Sequence, residues 1–210
     1  MNCLWISGWS VPPGWLAAQA AAVWPRVAHR AVAVADAESA LAAGNYDALG
    51  GYSLGTLWLL RQAEKIPAPT PVVLIAPILA FPAEDGKGGR ISRAQLRAQR
   101  RDLREDAPAA VLAFARLAGL AELGIPAPPD EFNPTNVAAL DAGLGWLETW
   151  TASAPPASWQ GWVGEADPLL DAAQVHEHWP AVRVVPGAGH APGPLLRAAA
   201  AEFTPFASTR

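Results

Sequence analysis

One segment of the chain has the pattern of a nucleophilic serine. Gly51-Tyr52-Ser53-Leu54-Gly55 fits G-x-S-x-G, follows a strand-like run at 46–50 and precedes a helix-like run at 56–60. A serine on a sharp strand-to-helix turn has a strained backbone and an exposed hydroxyl, and flanking glycines let neighbouring elements pass without Cβ clashes. The alternative is an ordinary turn. The placement, with a helix N-terminus behind the serine, favours the nucleophile.

A serine hydroxyl is barely acidic at neutral pH, so it needs a base. Of the four histidines, His190 lies in the turn at 186–192, just past the last strand-like run, which places it at the same sheet edge as Ser53. His29 falls inside a strand and is interpreted as packed. His176 and His178 are two apart on a helix, so they cannot share one face as metal ligands, and they are interpreted as solvated. A simple loop histidine is the alternative for His190.

The base in turn needs a carboxylate to fix its tautomer. Asp167 is the preferred candidate because it follows the strand-like run at 159–163, again at the carboxyl end. Glu165 competes two residues earlier, and Asp85 is a more distant alternative. Asp167 could also serve as a helix N-cap with proline after it, and both roles are compatible.

The oxyanion of an acyl-transfer reaction needs two backbone N–H donors. We expect one from Leu54, the residue after the serine, and the other from Trp9 in the turn Ser7-Gly8-Trp9-Ser10. Gly8 permits the tight turn. The Trp9 indole would lie beside the reacting carbonyl, with ordinary packing as the alternative for the ring.

Strand-length apolar runs alternate with helix-length segments, which predicts a mostly parallel sheet of about six strands with helices on both faces. We predict strands near 2–7, 27–35, 46–52, 71–77, 158–164 and 181–186. We predict helices near 13–24, 37–43, 54–65, 134–150, 169–178 and 194–203. The alternation breaks at 79–133, which is too long for a structureless loop and is interpreted as a helical lid inserted between core segments 1–78 and 134–210.

Composition excludes several classes of protein. The chain has 210 residues, 51% hydrophobic, with a net charge of -4, which suits one compact domain and argues against a protein built to hold nucleic acid or an anionic membrane. A single cysteine excludes a disulfide scaffold. We find no dinucleotide, P-loop or metal-binding pattern and infer no cofactor. No signal peptide or membrane span is recognised, so we expect a cytoplasmic protein.

The order Ser53, Asp167, His190 and the motifs around Gly8, Ser53 and His190 resemble the α/β-hydrolase superfamily over nearly the whole chain. Within it, the Gly-Trp after the first strand and the lid segments 103–106 and 111–114 look like the pimeloyl-[acyl-carrier protein] methyl ester esterases of biotin synthesis. The resemblance implies an α/β-hydrolase fold. It also implies hydrolysis of the methyl ester of a dicarboxylate chain presented on an acyl carrier protein, releasing methanol.

A charge argument supports the carrier as a partner. Residues 81–120 contain eight basic and five acidic residues, although the whole chain is negative. Helical spacing places four arginines on one face, and this arginine stripe is a candidate docking surface for an acidic carrier. The stripe consists of Arg93, Arg97, Arg100 and Arg104. The alternative is a solvated face partly neutralised by neighbouring carboxylates.

Aromatic and apolar side chains are candidates for an acyl channel. Trp9 and Trp58 follow the two catalytic turns, and Phe114 and Leu117 come from the lid. The sequence thus predicts a serine carboxylester hydrolase. Two alternatives are a general small-ester or thioester hydrolase without a carrier partner, and a non-catalytic protein that holds an apolar ligand on the same fold.

Overall fold

The computed structural model describes residues 1–121 and 134–206 and is built on one six-stranded sheet. Every strand pairing is parallel, in the order β2-β1-β3-β4-β5-β6, as predicted. The strands are β1 (Asn2–Ile6), β2 (Ala28–Val32), β3 (Ala48–Tyr52), β4 (Val72–Ile75), β5 (Gln160–Gly164) and β6 (Arg183–Val185). The helices are α1 (Pro13–Val23), α2 (Ala37–Ala42), α3 (Leu54–Arg61), α4 (Arg93–Glu105), α5 (Ala107–Leu117), α6 (Pro134–Thr149), α7 (Ala172–His178) and α8 (Pro192–Glu202).

Helices cover both faces of the sheet. The connection through α1 runs from β1 to β2, and the connection through α3 runs from β3 to β4, in the opposite direction along the sheet. Because parallel crossovers are right-handed, α1 and α3 lie on opposite faces, and α8 joins α1 through their mutual contact. The central strands β3 and β4 are therefore buried along their whole length, whereas the edge strands β2 and β6 are partly exposed.

Helices α4, α5 and α6 form a group of their own above the sheet. Ser92 begins α4 with a reciprocal capping box to Gln95, and the Asp106 carboxylate caps α5. Helix α4 packs against both α5 and α6. Within the described residues, α6, which begins the predicted core segment 134–210, packs mainly against α4. Residues 122–133, the end of the expected lid, lie outside the described residues.

The seventh helix begins later than predicted, at Ala172 rather than near 169. Its N-cap is Asp171, whose Oδ1 accepts the backbone N–H groups of Ala173 (3.1 Å) and Gln174 (3.2 Å). Asp167 is therefore not the cap of this helix. Among the described helices, none has the length and apolar character needed to cross a membrane.

Candidate active site

Ser53 lies on the sharp turn between β3 and α3. Its backbone has φ 52° and ψ −119°, and a positive φ is uncommon for a residue with a side chain. Gly55 is required by close packing, because a Cβ there would lie 2.0 Å from the carbonyl oxygen of Ile6. At Gly51 a Cβ would lie 2.9 Å from Leu59 Cδ1. Both glycines of the motif thus let α3 pack tightly beneath the serine.

The structure brings Ser53, His190 and Asp167 into one chain of contacts. Ser53 Oγ lies 2.9 Å from His190 Nε2, and His190 Nδ1 lies 2.8 Å from Asp167 Oδ2. The histidine is 2% exposed and the aspartate 1%, so both act away from bulk water. With the Nδ1 proton donated to the carboxylate, Nε2 is free to accept the serine proton.

The Asp167 carboxylate has a full set of partners. Its Oδ1 accepts the backbone N–H groups of Leu169 (2.8 Å) and Leu170 (3.0 Å), which leaves Oδ2 for the imidazole. The two rival carboxylates are occupied elsewhere: Glu165 Oε2 accepts the Gly187 N–H at 2.9 Å, and Asp85 Oδ1 pairs with Arg93 at 2.6 Å. Asp167 is thus the carboxylate that contacts His190.

Tyr52, the residue before Ser53, is hydrogen-bonded to the backbone of His190. Its hydroxyl donates a hydrogen bond to the His190 carbonyl at 3.1 Å, and the two rings lie 5.5 Å apart. Burial raises the pKa of Tyr52 well above its usual value, and the negative charge of Asp167 raises it further. Tyr52 therefore stays a protonated donor. This role was not predicted, because nothing in the motif shows that the carbonyl of a residue 138 positions away accepts a hydrogen bond from the Tyr52 hydroxyl.

Two backbone N–H groups beside Ser53 have no partner. Within the described residues, the N–H groups of Trp9 and Leu54 find no hydrogen-bond acceptor. The turn that carries Trp9 is closed by the Val11 N–H bonding the Gly8 carbonyl at 3.3 Å, and Ser10 adopts φ 57°. A Cβ at Gly8 would lie 3.0 Å from the Tyr52 ring, so this turn needs glycine to approach Ser53. Unpartnered donors at this place suit a developing oxyanion.

A cavity of about 310 Å³ opens beside Trp9 and Leu54. Its walls come from the turn at 8–13, from residues 33–35, from Val111 of α5 and from one face of α6. Every described lining residue is uncharged. The volume lies at the small end of the usual range for ligand pockets, about 300–1,000 Å³. The cavity therefore suits a compact apolar group next to the serine turn.

The expected channel residues divide into two groups. Trp9 lines the cavity, and Phe114 packs edge-on against the Trp9 ring at 4.7 Å between ring centroids. Among the described residues, Trp58 and Leu117 lie outside the cavity lining: Trp58 is buried in α3, and Leu117 is 46% exposed. Trp146, which lines the cavity from α6, was not predicted as a channel residue. No local pattern in the sequence shows that α6 reaches this cavity.

All four arginines of the stripe lie against carboxylates of the same chain. Asp141 and Glu148 are seven residues apart and share one face of α6, which faces α4. The ion pairs are Arg93 with Asp85 (2.6 Å), Arg97 with Glu148 (2.6 Å), Arg100 with Asp141 (2.9 Å) and Glu148 (3.5 Å), and Arg104 with Asp141 (3.0 Å). Hydrogen bonds from Arg100, and then from Arg104, hold the pKa of Asp141 below its usual value. Arg97, Arg100 and Arg104 thus join α4 to α6, whereas Arg93 pairs with a residue that precedes α4, and the stripe is largely neutralised.

The remaining histidines lie away from Ser53. His29 is half-buried in β2, where it accepts the Trp5 indole N–H at 3.0 Å, and its Nε2 lies 3.1 Å from the Trp24 carbonyl. His176 and His178 are exposed on α7, as predicted. In the described part of the chain, no cluster of three or more histidine, cysteine or acidic side chains could hold a metal ion.

Comparison with known proteins shows what the fold is. No protein-family model and no curated protein sequence matches the chain. Among solved structures, it is similar to an esterase from Exiguobacterium antarcticum, with a TM-score of 0.66, 11% identity, and coverage of 90% of this chain and 85% of the other. An alpha/beta hydrolase fold protein from Chitinophaga pinensis has a TM-score of 0.60 and 15% identity, with coverage of 100% and 90%. BioG from Haemophilus influenzae has a TM-score of 0.58 and 18% identity, with coverage of 90% and 88%. The chain has the α/β-hydrolase fold, as the sequence predicted.

Proposed function

We propose that this α/β-hydrolase-fold protein is a serine hydrolase of carboxylic esters, with Ser53 as nucleophile, His190 as base and Asp167 as the carboxylate that orients the base. The observation that carries the proposal is the contact chain from Asp167 Oδ2 through the His190 imidazole to Ser53 Oγ, at 2.8 and 2.9 Å. Both distances are within hydrogen-bond reach, which general-base catalysis requires. In this fold the three residues follow the strands β3, β5 and β6, whose carboxyl ends lie at one edge of the sheet.

In the first half of the reaction, Ser53 Oγ attacks the ester carbonyl carbon while its proton moves to His190 Nε2. The carbonyl oxygen becomes an oxyanion that accepts hydrogen bonds from the Trp9 and Leu54 N–H groups. Asp167 stabilises the imidazolium without taking its proton. When the tetrahedral intermediate breaks down, the ester C–O bond cleaves and the leaving alcohol takes the proton from His190.

In the second half of the reaction, a water molecule enters the place that the alcohol has left. His190 removes a proton from the water, the resulting hydroxide attacks the acyl-serine, and Ser53 leaves with that proton restored. The products are a carboxylic acid and an alcohol. The Trp9 and Leu54 N–H groups serve both tetrahedral intermediates because both form at the same carbon.

The cavity supports an apolar acyl group as the part of the substrate next to Ser53. Its uncharged walls would leave a buried charge without a partner, which is costly. A chain of methylene groups suits such walls. We therefore expect neutral esters of aliphatic acids to be better substrates than esters that carry a second free carboxylate in the cavity.

A finer proposal is the substrate implied by the sequence resemblance, the methyl ester of a pimeloyl chain on an acyl carrier protein. It suits the apolar cavity. Replacing Arg97 and Arg104, the two most exposed arginines of the stripe, with glutamine should weaken hydrolysis of carrier-linked esters. Small free esters should be spared, because Arg100 still pairs with Asp141 and Glu148 of α6. Equal effects on both substrates would remove the carrier from the proposal. Complementation of a biotin-requiring strain that lacks its own esterase would test the same substrate in cells.

The pairing of the arginine stripe with Asp141 and Glu148 favours a second candidate, a small-ester or thioester hydrolase without a carrier partner. A carrier would have to compete with carboxylates already in place. The two candidates differ in kinetics: the second predicts no preference for a carrier-linked ester over the corresponding free methyl ester.

The nucleophile is tested by covalent labelling and by mutation. A fluorophosphonate probe should label the wild-type protein, and Ser53→Ala should abolish labelling and lower turnover of a model ester by about 10⁴-fold or more. Ser39→Ala is the matched control, because Ser39 is an exposed serine on α2. A wild-type protein that takes no label and hydrolyses no ester would instead support the non-catalytic ligand-binding alternative.

A further inference from the structure

Gly143 of α6 contacts Trp9 in the turn Ser7-Gly8-Trp9-Ser10. A Cβ added to this residue would lie 2.8 Å from Trp9 Cδ1 and 3.4 Å from Leu54 Cδ2. These two neighbours are the residues whose backbone N–H groups are unpartnered beside Ser53. A glycine within a helix destabilises it by roughly 1 kcal/mol relative to alanine. Glycine at position 143 is therefore explained by the close contact with Trp9 and Leu54 and not by the stability of the helix.

The Trp9 side chain is held on three sides. Its indole N–H donates to the Leu140 carbonyl of α6 at 2.8 Å, its ring packs edge-on against Phe114, and Gly143 closes the remaining contact. A side chain fixed in this way also fixes its own backbone, so the direction of the Trp9 N–H depends on where α6 lies.

Ion pairs hold α6 on the side opposite the cavity. Its Asp141 and Glu148 carboxylates pair with arginines of α4, on the face turned away from the cavity. The helix is therefore held from one side by ion pairs and from the other by the Leu140–Trp9 hydrogen bond. An added methyl group at position 143 would have to move the Trp9 indole or the Leu54 side chain, since the helix has little freedom to retreat.

We propose that Gly143 is a positioning residue for the oxyanion hole: its missing side chain lets α6 hold Trp9 and Leu54 so that their N–H groups converge beside Ser53. This inference rests on the proposed function. It makes α6 part of the catalytic geometry as well as a wall of the acyl cavity.

The test compares Gly143→Ala with Gly145→Ala in the same helix. A Cβ at Gly145 meets only the Arg100 guanidinium, at 3.6 Å, which is ordinary contact. The substrate is p-nitrophenyl acetate, whose acyl group is too short to depend on the cavity. Gly143→Ala should lower kcat by about 10- to 100-fold with KM held within about twofold, because small displacements at a reacting centre cost this much. Gly145→Ala should leave both constants unchanged.

A second readout separates positioning from general damage to the fold. Binding of a trifluoromethyl ketone, which forms an oxyanion on Ser53, should weaken in Gly143→Ala by the same factor as kcat/KM. Binding of the matching methyl ketone, which stays largely unreacted, should not change. An equal loss for both ketones, or unchanged kcat, would overturn the inference, and so would an equal loss of kcat in Gly145→Ala.

If Gly143→Ala fails to fold, Trp9→Phe tests the hold of α6 on Trp9 through the hydrogen bond to the Leu140 carbonyl. This variant keeps a ring against Phe114 and removes the indole N–H that bonds Leu140. It should show the same loss of kcat at constant KM and the same split between the two ketones, and the absence of that split would refute the positioning role. A wild-type protein without esterase activity or fluorophosphonate labelling would overturn the proposed function and this inference together. An active wild type with unaltered variants would overturn the inference alone.

Discussion

Substituting Asp167 with asparagine tests the hydrogen-bond geometry around His190 most directly. Asp167 accepts three N–H groups: those of Leu169 and Leu170 on Oδ1, and His190 Nδ1–H on Oδ2. Asparagine has one oxygen and one NH₂ group, so it cannot accept on both sides. Because two backbone donors converge on the Oδ1 position, the amide oxygen should stay there. The NH₂ group then faces His190.

A donor facing Nδ1 forces the imidazole into the opposite tautomer. Nε2 would then carry the proton and could not accept one from Ser53. The equivalent substitution in a serine protease lowers kcat by about 10⁴-fold for this reason. We expect Asp167→Asn to lower kcat by about 10³- to 10⁴-fold, which corresponds to roughly 4 to 5.5 kcal/mol of transition-state stabilisation.

The assay is hydrolysis of p-nitrophenyl butyrate, with the melting temperature as a check on folding. Glu165→Gln is the control, because Glu165 bonds the Gly187 N–H and does not contact His190. Its kcat should stay within about twofold of wild type. If Asp167→Asn kept more than about a tenth of wild-type kcat, or if Glu165→Gln lost as much, the tautomer argument would be refuted.

Three further predictions concern stability. Tyr52→Phe should lower the free energy of unfolding by about 1–3 kcal/mol in urea titrations, because the buried His190 carbonyl loses its donor; an unchanged midpoint would show that water replaces the hydroxyl. Burial lowers the pKa of His29, while a hydrogen bond to a backbone carbonyl opposes this, so the unfolded chain binds the proton more tightly. The contribution of His29 to the free energy of unfolding is therefore complete above its usual pKa of 6.5 and decreases as the pH falls below that value. His29→Gln should remove that part of the decline between pH 7.5 and 5.5, and parallel curves would contradict the argument. Asp141→Asn should cost about 1 kcal/mol at low salt and less in 1 M NaCl, whereas Arg101→Gln, which breaks an exposed pair on α4, should cost close to nothing.

Much of the fold follows from local patterns. Buried parallel strands such as Val72–Ile75 are short apolar runs, and they stand out between turns of glycine and proline. The start of α7 was harder to predict. Asp167 followed by proline has the local pattern of a helix cap, but the structure gives that role to Asp171, whose carboxylate accepts the Ala173 and Gln174 N–H groups.

Within the site, predictability follows distance along the chain. The Ser53 turn is encoded in five consecutive residues, so its strained backbone and its need for glycine are visible locally. The Tyr52 hydroxyl bond to the His190 carbonyl joins residues 138 positions apart, and no local signal predicts it.

For the arginine stripe, helical spacing predicts which side chains share a face of the helix but not which groups they contact. Helical spacing placed Arg93, Arg97, Arg100 and Arg104 on one face of α4. The last three contact α6, whereas Arg93 pairs with Asp85. Which group they meet depended on α6, because Asp141 and Glu148 share a face that packs on α4.

By itself, the amino-acid sequence determined the parallel sheet, the strained serine turn and the chain order of the residues that follow the strands, because each depends on short-range periodicity and backbone sterics. The tertiary structure alone decided which carboxylate meets His190, which residues wall the cavity, and that α6 reaches Trp9. These depend on contacts between segments far apart in the chain, and such contacts form only when the sheet edge and the helices above it are packed together.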